Sequence, residues 1–181
     1  MSKKYLMIDI IPNQEQKDYA AKQVDTYNFG RRGVFDGNKE QQFVGVLGQT
    51  IVADVLHVPR PDGTSGNDKG IDFVINNKNV DIKTMTRTVS VKAHYVHNFV
   101  AYQKEYPTDV YIFASYNKKN SVFTICGSVS KEQLQARAVF FEKGQLRYRD
   151  DGSTFPVKAP LYEIKQSDLN SIDSVEDINK L

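Results

Sequence analysis

Cysteine is nearly missing from this chain. Cys126 is the only one among 181 residues, which excludes an internal disulfide framework and fits a reducing cytosol. Its neighbours Ile125 and Gly127 read as a strand, so the thiol is expected in a core rather than at a reactive site. No run of eighteen apolar residues occurs, so no membrane span is expected. The opening segment Met1 to Pro12 imitates the charged start of a signal peptide. Asp9 interrupts its apolar part and Pro12 stops it, so none is expected. An excess of one charge is also lacking: the formal net charge is +2, spread without long runs, and selects no partner by itself. A nucleic-acid enzyme needs only a local basic patch. Repeats and low-complexity tracts are absent. The length and a hydrophobic content of 40% suit a single soluble domain over residues 1–181, expected in the cytoplasm.

The stretch from Gly70 to Thr84 carries the most chemistry. Ile71, Phe73 and Ile75 alternate with Asp72, Val74 and Asn76. After a polar break at Asn76-Asn77-Lys78-Asn79, Val80 and Ile82 alternate with Asp81 and Lys83. Alternation on both sides of an Asn-rich break predicts a hairpin. Pairing Ile75 with Val80 sets Asp72 opposite Lys83 and Val74 opposite Asp81. Asp72, Asp81 and Lys83 then share one face, and Ile71, Phe73, Ile75, Val80 and Ile82 form the core face. Two carboxylates suit a hard divalent cation, Mg²⁺ or Mn²⁺, to which the carbonyl of Ile82 adds a further oxygen. Such a cation polarises a phosphodiester and acidifies water. Lys83 is placed to assist the attacking water or to stabilise developing negative charge. The competing explanation is an exposed strand face on which Asp opposite Lys is an ordinary cross-strand pair.

Gly70-Ile71-Asp72 followed by Val80-Asp81-Ile82-Lys83-Thr84, preceded by a helix and a Ser/Gly loop, resembles the PD-(D/E)XK nuclease superfamily over residues 37 to 115. Ile71 stands where the motif has proline. The resemblance implies an α/β fold with a restriction-endonuclease-like core, a mixed central β-sheet flanked by helices, over residues 37–128 with N- and C-terminal decorations. It implies a metal-dependent DNA endonuclease with Asp72 and Asp81 as ligands, cleaving to a 5′-phosphate and a 3′-hydroxyl. In that family the first helix often carries a glutamate in a Gly-x-x-Gly-Glu string. Here the string is Gly45-Val46-Leu47-Gly48-Gln49, so Gln49 takes the acid's place and brings no charge. Glu40 is the alternative helix acid, about half a turn around the helix from Gln49. The missing glutamate keeps open a non-catalytic reading, a nucleic-acid-binding or protein-interaction domain of the same fold. The resemblance also implies that a homodimer is possible, since two strands need two sites.

Around this core, Tyr5 to Ile11 predicts an edge strand and residues 13–28 a helix. Residues 37–58 predict a buried helix capped by Asn38, in which Gly45 and Gly48 clear a strip for close approach. Lys92 to Glu105 is expected to be helical, with His94 and His97 sharing a face; no second ligand pair is present for zinc. Asp109 to Tyr116 and Ser121 to Ser128 predict an antiparallel pair, and Ser130-x-x-Gln133 a capping box. Leu161 to Ile164 predicts a last strand, and Ser167 to Leu181 a terminal helix or a frayed tail. Arg31 and Arg32 in a basic turn, Ser65 and Asn67 in the Ser/Gly loop, and Gln103 are the candidate DNA contacts.

Overall fold

A computed structural model describes residues 7–27, 37–64, 69–148 and 152–181. Arg31, Arg32, Ser65 and Asn67 lie outside the described residues. In chain order the elements are β1 (Ile8–Ile10), α1 (Gln14–Thr26), α2 (Lys39–Leu56), β2 (Phe73–Ile75), β3 (Lys78–Arg87), β4 (Val96–Val100), β5 (Val110–Asn117) and β6 (Val122–Ser130). They continue with α3 (Lys131–Arg137), β7 (Val139–Phe141), β8 (Leu146–Tyr148), β9 (Thr154–Pro156), β10 (Leu161–Lys165) and α4 (Val175–Ile178). The fold is mixed α/β. Among the described residues no helix is long and apolar enough to cross a membrane.

The main sheet has the order β1-β6-β5-β3-β2. Only β3 and β5 run parallel; the other pairs are antiparallel. β5 is buried along its whole length, as a central strand covered on both faces must be. On one face α1 and α2 contribute Ala20, Val24, Leu47, Ile51 and Val52 to a core with Val80, Ile82, Ile112 and Phe123. On the other, Tyr111, Phe113 and Cys126 meet Phe99 of β4, Ile164 of β10 and Leu134 of α3. This second face is covered mainly by a three-stranded sheet, β4-β10-β7, rather than by the helix expected there.

That difference originates in residues 92–105. Val96, Phe99 and Val100 fit a helical stripe, but the segment pairs instead with β10, His97 opposite Ile164 and Phe99 opposite Tyr162. A 3-10 turn, Ala101–Glu105, follows. His97 and Phe99 point into the core while Asn98 is exposed, a period of two rather than 3.6. His94 is exposed and His97 fully buried, so the two do not share a face. The expected C-terminal helix is reduced to α4, one short turn.

Candidate active site

Helix α2 begins where its sequence says it should. The Asn38 side chain accepts from the Gln41 amide at 2.9 Å, and the Gln41 side chain accepts from the Asn38 amide at 3.0 Å, a reciprocal capping box. Of its two glycines only Gly48 marks a close approach. A Cβ at Gly48 would overlap Thr84 Oγ1 of β3 and lie 3.3 Å from the Phe123 ring, whereas one at Gly45 would meet nothing. The expected two-glycine strip is therefore a single contact, because the helix crosses β3 there. That contact brings the next residue, Gln49, over the start of β2. Gln49 Nε2 donates to Asp72 Oδ1 at 2.5 Å.

The hairpin below differs in register from its sequence reading. Phe73 pairs with Val80, Val74 with Asn79 and Ile75 with Lys78. The turn is the two residues Asn76 and Asn77, at φ 49° and 62°. Two successive left-handed residues make the turn whose twist matches antiparallel strands, and Asn tolerates that region better than most residues. The pairing is displaced by two residues from the expected one, so Asp72 does not face Lys83 and Val74 does not face Asp81. A displacement of two preserves side-chain parity. Asp81 and Lys83 therefore still share one face, beside Tyr111 and Phe113 of β5.

Asp72 lies just before β2. Its amide donates to the Val80 carbonyl at 2.9 Å, and its Oδ2 accepts from the Ile82 amide at 2.7 Å. The carboxylate is thus held on the peptide that follows Asp81. A strand residue directs its N–H and C=O to the same side, so the Ile82 carbonyl faces that edge too. Asp81 is only 3% exposed, which removes the ordinary exposed pair as its explanation. Lys83 Nζ stands 2.6 Å from Asp81 Oδ2, its side chain 20% exposed and 5.9 Å from the centre of the Phe99 ring. Gly70 closes the site from the loop side. At φ +75° it takes a backbone conformation that suits glycine, and a Cβ there would lie 2.8 Å from the Tyr106 ring and 3.2 Å from Asp81 Oδ2. Thr108 Oγ1 fixes this turn by donating to the Gly70 carbonyl at 2.7 Å. Burial, and secondarily the charge of Asp81, push the Tyr111 phenol up to about 12, so it stays protonated at neutral pH.

The oxygen donors gathered here are the Asp72 and Asp81 carboxylates and the Ile82 carbonyl, while Gln49 presents its amide nitrogen to Asp72. Among the described residues no group of three His, Cys, Asp or Glu side chains is arranged to hold a metal ion. Two carboxylates with a neutral oxygen nonetheless match what Mg²⁺ takes from proteins, since it retains much of its water. Glu40 is turned away from these groups. It is exposed and paired with Lys118 at 3.2 Å, so the helix reaches Asp72 through Gln49. Gln103 sits half-buried in the 3-10 turn. His97 is a core residue: its Nε2 meets Gln166 Oε1 at 2.8 Å, and burial lowers its pKa to about 4.

The motif stretch ends at Thr84, and from sequence Met85 to Val91 reads as strand or loop with one base, Arg87; in the structure β3 runs on to Arg87. The signal was there, since Thr84 and Thr86 continue the alternation with Met85 and Arg87. Where β3 outruns β2, a groove of about 690 Å³ opens, with Thr84 and Arg87 in its lining. No protein-family model, no curated protein and no solved structure matches this chain.

Proposed function

We propose that the chain is a metal-dependent hydrolase of DNA phosphodiesters, built on a restriction-endonuclease-like core. One observation carries this reading: Asp72 is bonded to the backbone directly after Asp81, whose buried carboxylate is paired with Lys83, and Gln49 reaches the same aspartate from α2. Burying an acid and a base together costs several kcal/mol of desolvation per ion, and active sites are where such arrangements concentrate. Asp72, Asp81 and the Ile82 carbonyl would hold Mg²⁺ or Mn²⁺. A bound cation would supply Lewis-acid polarisation of the phosphate and acidify water. Lys83, fixed by Asp81 and the Phe99 ring, would orient the attacking water and oppose the negative charge that develops on the phosphate. Gln49 would hold the Asp72 carboxylate in one rotamer.

The test is incubation of wild type and Asp81→Ala with plasmid and oligonucleotide DNA in Mg²⁺, Mn²⁺ or EDTA. Cleavage by wild type alone, abolished by EDTA, is expected. Equal cleavage by both proteins would sink the site assignment.

A second reading has its own observation. An uncharged amide occupies the place of the helix acid, and Asp81 already has a cation in Lys83. Both favour a domain that binds nucleic acid or protein without cutting. Calorimetry decides between the two, because that domain would bind DNA and take up neither Mg²⁺ nor Mn²⁺.

A further inference from the structure

The groove beside the site contains a cation, Arg87, that no acid among the described residues neutralises. β2 pairs with β3 only between Lys78 and Val80, so the edge of β3 beyond that hairpin borders the groove. Thr84, Thr86 and Arg87 line it on the strand side, Asn38 and Gln41 on α2, and Asn98 on β4. By the alternation that turns Ile82 N–H toward Asp72, the N–H groups of Thr84 and Thr86 face the same edge. Thr84 Oγ1 is buried and makes no hydrogen bond. The one acid among the described residues of the lining, Glu40, is already paired with Lys118.

Arg87 differs from Arg60 and Arg147, the two ion-paired arginines among the described residues. Arg60 is clamped by Glu15 and Asp54, and Arg147 by Glu163. Arg87 makes neutral contacts instead: it donates to the Val96 carbonyl at 2.7 Å, and its guanidinium lies 5.1 Å from the centre of the Tyr95 ring. Its Nε is buried without a hydrogen-bond partner. Burial lowers its pKa, yet a guanidinium remains protonated in proteins. A partly buried cation with spare donors calls for an anion, and the planar fork of arginine matches phosphate.

We propose that Arg87 anchors the backbone of a nucleic-acid strand in this groove by taking one of its phosphates, at a fixed distance from Asp72 and Lys83. The proposal rests on the phosphodiester reading of the adjacent site. Lys83 and Arg87 share a strand face four residues apart, about 13 Å at ~3.3 Å per residue. The anchored phosphate therefore lies a few nucleotides from the scissile one, and Thr84, Thr86, Asn38, Gln41 and Asn98 offer uncharged donors along the path between and beside them.

The test is fluorescence anisotropy with a short labelled single strand and its duplex, in EDTA so that nothing is cut, across a salt series. Arg87→Gln should bind about tenfold more weakly, with a salt slope smaller by about one. Asn98→Asp changes an exposed residue and adds a carboxylate to the lining. It should weaken binding in the same direction; Asn98 lies opposite Glu163, so its cooperative unfolding is checked alongside, and a folded Asn98→Asp keeps the test valid if Arg87→Gln folds poorly. Unchanged affinity and salt slope in Asn98→Asp and in a folded Arg87→Gln would overturn the proposal, as would no binding by wild type. Cleavage is scored separately in Mg²⁺. Arg87-dependent binding without any cleavage would remove the hydrolase reading and leave the anchor standing.

Discussion

Gln49 Nε2 donates to Asp72 Oδ1, so the helix and the strand-leading aspartate are joined through a neutral amide. Gln49→Glu would remove that donor and set two carboxylates against each other. Without a cation the variant should lose on the order of 1–2 kcal/mol, a Tm lower by roughly 2–4 °C per kcal/mol at this chain length. Mn²⁺ or Mg²⁺ should restore most of the loss, and more in the variant than in wild type. Thermal melts with and without cation check this. A Gln49→Glu midpoint indifferent to both cations would tell against a metal between Asp72 and α2.

Gly48→Ala should destabilise the protein although alanine is the better helix former by ~1 kcal/mol. The added methyl overlaps Thr84 Oγ1, and the Thr84 Cβ is 3.3 Å away. A β-branched residue has little freedom to turn aside. The net cost should be about 1–3 kcal/mol. Thr84→Ala should recover part of it, with a coupling of about 1 kcal/mol or more in a double-mutant cycle read by urea unfolding. Additive effects would show that the helix shifts freely over β3.

Stability should fall on acidification because of His97. Its pKa is about 4 in the fold, lowered first by burial, against an ordinary value of 6.5. Between those values the unfolded chain holds the extra proton. The contribution of neutral His97 is complete above pH 6.5 and is lost as pH falls toward 4, on the order of 3 kcal/mol. Urea midpoints at several pH values measure the slope, and His97→Gln should flatten it. An unchanged slope in that variant would assign the acid sensitivity elsewhere.

The Cys126 thiol should be inert in the native protein. Burial pushes its pKa up to about 12, and the thiolate is the reactive form. Labelling with a disulfide reagent should become fast only in denaturant. Rapid native labelling would mean that the face of β6 beneath β10 opens readily.

The parts of this architecture set by local chemistry could be read from the chain. Asn38 announced the start of α2, and the apolar run from Val110 announced β5. The pairing of Asp81 with Lys83 on one face could also be read, because parity survives a two-residue error in register. The register itself could not. Four polar residues, Asn76 to Asn79, accommodate several turns, and the preference for two left-handed asparagines emerges only when strand twist is considered. Residues 96–100 satisfy helical and strand spacing alike, and β10, a distant segment, decides between them. The burial of Asp81 was hidden for the same reason, since it is closed in by the turn at Gly70, which Thr108 holds, and by Lys83. Arg87 is a lone base in a stretch that reads as strand or loop, and nothing local shows that its strand outruns its neighbour β2.

The parallel pairing of β3 with β5 has a kinetic consequence. The β2–β3 hairpin is local and of a kind that forms in about 1–10 μs. In the hairpin alone Asp81 and Lys83 remain in water. They are enclosed only when the chain has crossed through β4 and returned as β5, and such non-local closure is slow. The ionised pair is therefore dehydrated late in folding, after the surrounding frame exists to receive it. Chains halted before that step would present the hairpin's charged face and an open apolar sheet to solvent, and would be identified by dye binding.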